Sequence, residues 1–198
     1  MRAIATRMFH HYLMLAAATA LLAASFSTAH AALLSYTADL SGPNESPPNA
    51  SPGVGTALVD IDDVAQTMRV RVTFSGLVGT TTASHIHAPT LVALTGTAGV
   101  ATTTPYFAGF PIGVTSGSYD NTLDMTQASS YNPAYVTAHS GSVALSEAAL
   151  FQSIANGFSY LNVHSNVYGG GEIRGFLVPV VVTPTTPQTW GRIKALYR

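Results

Sequence analysis

Cysteine is absent from all 198 residues. Disulfides, thiolate nucleophiles and thiolate metal ligands are therefore excluded, and stability has to come from core packing or from a metal held by other groups. Charge is scarce as well, at 9% of the chain. Between Ala32 and Val182 the basic residues are Arg69, Arg71 and Arg174, set against nine carboxylates, a net −6. A surface of that sign does not attract nucleic acid or anionic lipid. Long hydrophobic runs are missing too. The run from Leu13 to Ala24 is twelve residues, where a membrane-spanning helix needs about 20. No nucleophile elbow, phosphate loop or helical zincin motif occurs.

What is present at the N-terminus is Arg2 and Arg7, that short apolar run, and then small residues ending in Ala29-His30-Ala31. This is the layout of a secretory signal peptide over residues 1–31, cleaved before Ala32. The expected product is secreted or periplasmic and has no stable membrane span. His10, His11 and His30 leave with the signal and belong to no site. At the other end, Thr183-Pro-Thr-Thr-Pro-Gln-Thr189 is a stiff polar linker. It leads to a basic tail in which Trp190, Ile193 and Tyr197 fall near one helical face. Nine residues make no independently stable helix, so this tail is either a frayed or packed end or a docking tag. Residues 183–198 are set apart from one domain over 32–182.

That domain reads as short alternating runs broken by Gly, Pro, Asn and Ser. Strands are expected at 35–40, 54–61, 68–74, 83–87, 113–123, 158–165 and 172–182, with a further strand among loops between Leu91 and Phe110. In the clearest run Met68, Val70, Val72 and Phe74 face one way and Arg69, Arg71 and Thr73 the other. The three prolines of Gly42–Pro48 argue against helix or central strand there. Ser146–Ala155 reads as a helix stopped by Asn156-Gly157. The fold class is all-β, an antiparallel β-sandwich or flattened barrel with one or two short helices.

Four histidines remain in the domain. His85 and His87 alternate on one strand and so project to one face, with Ile86 opposite. A His-x-His pair presents two imidazoles to Zn or Cu. If the last hairpin pairs Val163 with Ile173, then Leu161, Val163 and Ile173 share a face, and Asn162, His164, Glu172 and Arg174 share the other. His85, His87, His164 and Glu172 are then the candidate metal ligands. A hydrogen-bonded polar network that fixes the fold is the first reading of the same residues, ahead of the metal site, and a redox enzyme of the copper/zinc dismutase type ranks behind both. His139, in Ala138-His-Ser-Gly141, reads as a loop histidine.

Three segments carry a resemblance. They are Leu40-Ser-Gly-Pro-Asn-Glu-Ser-Pro-Pro48; Val72-Thr-Phe-Ser-Gly-Leu77 leading to Ala83-Ser-His-Ile-His-Ala-Pro89; and Tyr160-Leu-Asn-Val-His-Ser165 followed by Gly170-Gly-Glu-Ile-Arg-Gly-Phe-Leu177. In order and spacing they resemble the CHRD family, the repeat unit of chordin. The resemblance implies an extracellular β-sandwich module. It does not carry growth-factor antagonism, because the cysteine-rich neighbours that bind growth factors in chordin are missing. The expected role is a non-enzymatic binding or structural module with an extracellular protein or glycan as partner, or else a Zn- or Cu-binding β-protein.

Overall fold

A computed structural model describes residues 33–181. The expected signal segment and the expected linker with its tail lie outside the described residues. Strand β1 (Leu34–Ser41) is followed by β2 (Val54–Asp62), β3 (Thr67–Ser75), β4 (Thr81–His87) and β5 (Gly117–Asp124). Helices α1 (Pro133–Ala138) and α2 (Val143–Ala155) come next, then β6 (Tyr160–Ser165), β7 (Ile173–Phe176) and β8 (Val178–Pro179). The strands form one antiparallel sheet in the order β4-β6-β7-β1-β2-β3-β5, with β8 paired to β1. The sheet curls into a half-barrel, which is the all-β class expected.

Period-two alternation decides which face is buried. Tyr36, Ala38 and Leu40 of β1, Ala57, Val59 and Ile61 of β2, and Met68, Val70, Val72 and Phe74 of β3 all enter the core. Ile86, Leu161, Val163 and Ile173 extend that core across β4, β6 and β7, and Leu150 and Ile154 of α2 pack on it. Each arginine among the described residues meets a carboxylate: Arg69 with Asp120, Arg71 with Asp60, and Arg174 with Glu45.

Four segments differ from the sequence reading. Residues 91–110 hold no strand, only isolated bridges at Val92, Thr95, Val100, Thr102 and Tyr106. Their apolar residues do two different jobs: Leu91, Val92 and Leu94 are exposed, whereas Phe107 and Phe110 enter the core against Tyr119 and Phe74. A turn of 3₁₀-helix occupies Gly42–Asn44, with Pro43 at its start, where a missing amide costs nothing. Asn132-Pro133 opens a helix and not merely a turn. Asn132 caps it by accepting from the Ala134 amide, and His139 closes it. The final strand is interrupted, with β7 starting at Ile173 and Leu177 separating it from β8. Among the described residues no helix is long and apolar enough to cross a membrane.

Candidate metal centre

Alternation along β4 puts His85 and His87 on the face away from Ile86 and the core. Strand β6 pairs with β4 so that His85 stands across from Asn162, His87 from Tyr160 and Ala83 from His164. All three histidines therefore project from two adjacent strands to one side of the sheet. Their rings converge. Centroids of His85 and His87 are 4.7 Å apart, those of His85 and His164 are 4.8 Å apart, and one nitrogen from each ring lies within 4.8 Å of the others.

The hydrogen bonds settle which nitrogens face inward. His85 Nδ1 meets the Pro105 carbonyl at 3.1 Å, His87 Nδ1 the Ala98 carbonyl at 2.8 Å, and His164 Nδ1 the Gly169 carbonyl at 3.0 Å. A carbonyl oxygen only accepts, so each Nδ1 carries its hydrogen and each neutral ring keeps a bare lone pair on Nε2. The Nε2 atoms of His85 and His164 are 3.1 Å apart, and His87 Nε2 is buried without a partner. Burial lowers the pKa of all three imidazoles. His85 falls to about 3, helped by its neighbours His87 and His164, and His87 falls to about 4 despite its bond to Ala98. The cluster is therefore neutral at neutral pH, with lone pairs meeting lone pairs across a gap that an electrophile would fill. Tetrahedral Zn–N bonds of 2.0–2.1 Å imply N···N separations of about 3.3 Å. The His85–His164 pair is close to that already, and small rotamer changes bring His87 in.

Glu172 does not join them. The expected pairing of Val163 with Ile173 is present, but Gly171 at φ +130 breaks the strand just before Glu172, so face alternation does not extend to it. Its carboxylate is fully buried elsewhere, accepting from Ser51 Oγ at 2.6 Å and from the Val78 and Gly79 amides. Burial alone would raise its pKa, but hydrogen bonds from Ser165, Ser51 and those amides hold it below the ordinary value. Glu172 is a clamp between the segment before β2, the loop after β3 and the start of β7. Glu172→Ala strands the hydroxyls of Ser51 and Ser165 and the amides of Val78 and Gly79, at a cost of about 1–3 kcal/mol each, not additively. Urea denaturation should show a loss of roughly 3–5 kcal/mol, while any zinc uptake by the three imidazoles in the folded fraction stays within about threefold of wild type. A large loss of affinity at unchanged stability would restore Glu172 as a ligand.

The proline-rich segment is tied to the same hairpin. Arg174 Nε donates to the Asn44 carbonyl, Asn49 Nδ2 donates to the carbonyls of Gly171 and Glu172, and the Glu45 carboxylate lies 3.8 Å from Arg174 Nε. A side chain on Gly171 would run into Glu45, and one on Gly175 into the Asp39 backbone of β1. Two of the segments that carried the family resemblance thus form one packed unit. Glu45 is buried and its Oε1 has no hydrogen-bond partner. Desolvation lifts its pKa to about 7, against the pull of Arg174 and the Ser46 amide. A carboxyl raised in the native state stabilises the fold fully below its unfolded pKa, and that contribution is lost as pH rises through the native value. Relative to wild type, Glu45→Gln should therefore gain stability between about pH 5 and 8. Urea midpoints of the two proteins that run parallel across that range would contradict the assignment.

The sequence reading did not single out the carbonyls of Ala98, Pro105 and Gly169, nor Tyr160, which stacks on His87 with centroids 4.6 Å apart and carries Arg174 over its own ring at 4.7 Å. Backbone carbonyls leave no signal in a sequence. Tyr160 had one, since it alternates with Asn162 and His164 on β6. His139 lies apart from the cluster, its Nδ1 on the Tyr135 carbonyl.

Fold and site together define a small all-β module with three neutral imidazoles gathered on the outer face of its sheet. Residues 36–177 match the CHRD domain, and the chain belongs to the CHRD-domain family, which supports a non-enzymatic module. Neither the curated proteins nor the solved structures gave a match.

Proposed function

We propose that this protein is an exported CHRD-domain module that holds one zinc or copper ion on His85, His87 and His164. The observation that carries the reading is the set of three Nδ1–H···O=C bonds, which leaves three Nε2 lone pairs directed at one another. Metal-ligating histidines are oriented in this way, by an outer partner on the second ring nitrogen. Export rests on the basic start, short apolar run and Ala-x-Ala site of residues 1–31. It places the module in the periplasm or outside the cell, with an extracellular protein or glycan as partner.

The same three carbonyl bonds also favour a second reading. They tie residues 98, 105 and 169 to the sheet, so the histidines would serve as a polar network alone. Calorimetric titration of chelator-treated protein with ZnCl₂ and with CuCl₂ separates the two. Saturation at one ion per chain for either metal supports the centre. Absence of heat and of retained metal after dialysis, for both metals, leaves the network.

A further inference from the structure

Asn162 sits in the middle of the cluster with a buried amide oxygen that no donor satisfies. It lies directly across from His85 on the β4–β6 pair, where side chains are about 4.5–5.5 Å apart at Cβ. It alternates with His164 along β6, so both leave the strand on the same side. It is 2% exposed, and its Oδ1 is buried with no hydrogen-bond partner. Its side chain comes within hydrogen-bonding reach of the His87 ring and offsets part of the lowering of that ring's pKa. A strong donor is close by, because Asn162 pairs with Arg174 on β7. That guanidinium is committed elsewhere, to the Asn44 and Gly96 carbonyls and to the faces of Tyr160 and Phe176. A buried amide oxygen with no donor is costly, and His87 carries a second orphaned atom of the site on Nε2.

We infer that Asn162 supplies an oxygen ligand to the ion, completing a neutral set of three imidazole nitrogens and one amide oxygen. The inference rests on the three-histidine reading. An ion placed among the Nε2 atoms removes both orphans at once: it takes the His87 lone pair and gives Asn162 Oδ1 an electropositive partner. Imidazole with a single carbonyl oxygen is a donor set for borderline divalent ions such as Zn²⁺, Cu²⁺ and Co²⁺.

The test uses Co²⁺ as a visible probe and Zn²⁺ as its competitor, on wild type, Asn162→Leu and Asn162→Asp. Leucine keeps the volume and removes the oxygen, so affinity for both ions should fall by about 10–100-fold. Aspartate keeps the oxygen and adds a charge, so affinity should rise above wild type and the Co²⁺ absorption should retain four-coordinate intensity. A packing role predicts that both substitutions weaken binding together, and that result overturns the inference, as does unchanged affinity in both. If Asn162→Leu fails to fold, the direction of the change in Asn162→Asp decides alone. If wild type takes up neither ion, nor Cu²⁺, the three-histidine reading fails, and this one with it. If wild type binds and the variants match it, only Asn162 is withdrawn.

Discussion

Val163→Asp is expected to abolish folding, and Thr73→Asp to melt within a few degrees of wild type. Val163 is fully buried between β4 and β7, paired with Ser84 on one side and Ile173 on the other. A carboxylate there has no cation to meet, since Arg174 projects from the opposite face with Asn162. The group must either stay charged in an apolar site or take up a proton at neutral pH, and both are costly. A loss above about 4–5 kcal/mol is comparable with the whole stability of a domain, about 5–15 kcal/mol. Thr73 sits on β3 with its side chain exposed, sharing a 2.8 Å hydroxyl contact with Thr56. Losing that contact and adding a surface charge should cost no more than about 1 kcal/mol, or roughly 2–4 °C in a domain of this size. Circular dichroism melts of the two variants decide it; equal melting temperatures would contradict the core assignment.

The second large effect is on metal-dependent stability. An ion that binds the native state at 100 times its Kd adds about 2.7 kcal/mol, which is roughly 5–10 °C for a domain of this length. Wild type should show that rise with Zn²⁺ or Cu²⁺. His87→Ala should lose most of it, because one of three nitrogens is gone. Without metal the variant should melt below wild type, because the His87 ring stacks on Tyr160 and bonds the Ala98 carbonyl, so the quantity compared is the metal-induced rise in each protein. A metal-induced rise of equal size in wild type and His87→Ala would place the ion elsewhere.

Alternation made most of the sheet legible before any coordinates. Met68, Val70, Val72 and Phe74 could face only one way, and the same rule joined His85 to His87 and Asn162 to His164. The apolar match of Val163 with Ile173 specified the last hairpin register, because a one-residue slip would have turned Leu161 and Val163 outward. What period two cannot encode is which distant strands become neighbours. That β4 pairs with β6, across the intervening β5 and both helices, is a property of the whole core, and it brings His164 to the pair on β4. Alternation also fails at a backbone break. Gly171 turns the chain where alternation predicts a regular strand, and Glu172 goes to the Ser51, Val78 and Gly79 donors instead of the imidazoles. Residues 91–110 misled for a different reason: their apolar residues are used one at a time, as plugs such as Phe107 and Phe110, and not as a ladder.

The central claim concerns three particular nitrogens, and long-range ¹H–¹⁵N correlation spectra of the histidine rings report on them directly. In the metal-free protein His85, His87 and His164 should each show a protonated Nδ1 and a bare Nε2. On adding one equivalent of Zn²⁺ the three Nε2 resonances should shift together while the Nδ1 hydrogens remain in place and His139 is unmoved. Protons found on Nε2 in the metal-free state, or Nε2 resonances that neither shift with zinc nor broaden with Cu²⁺, would contradict the account.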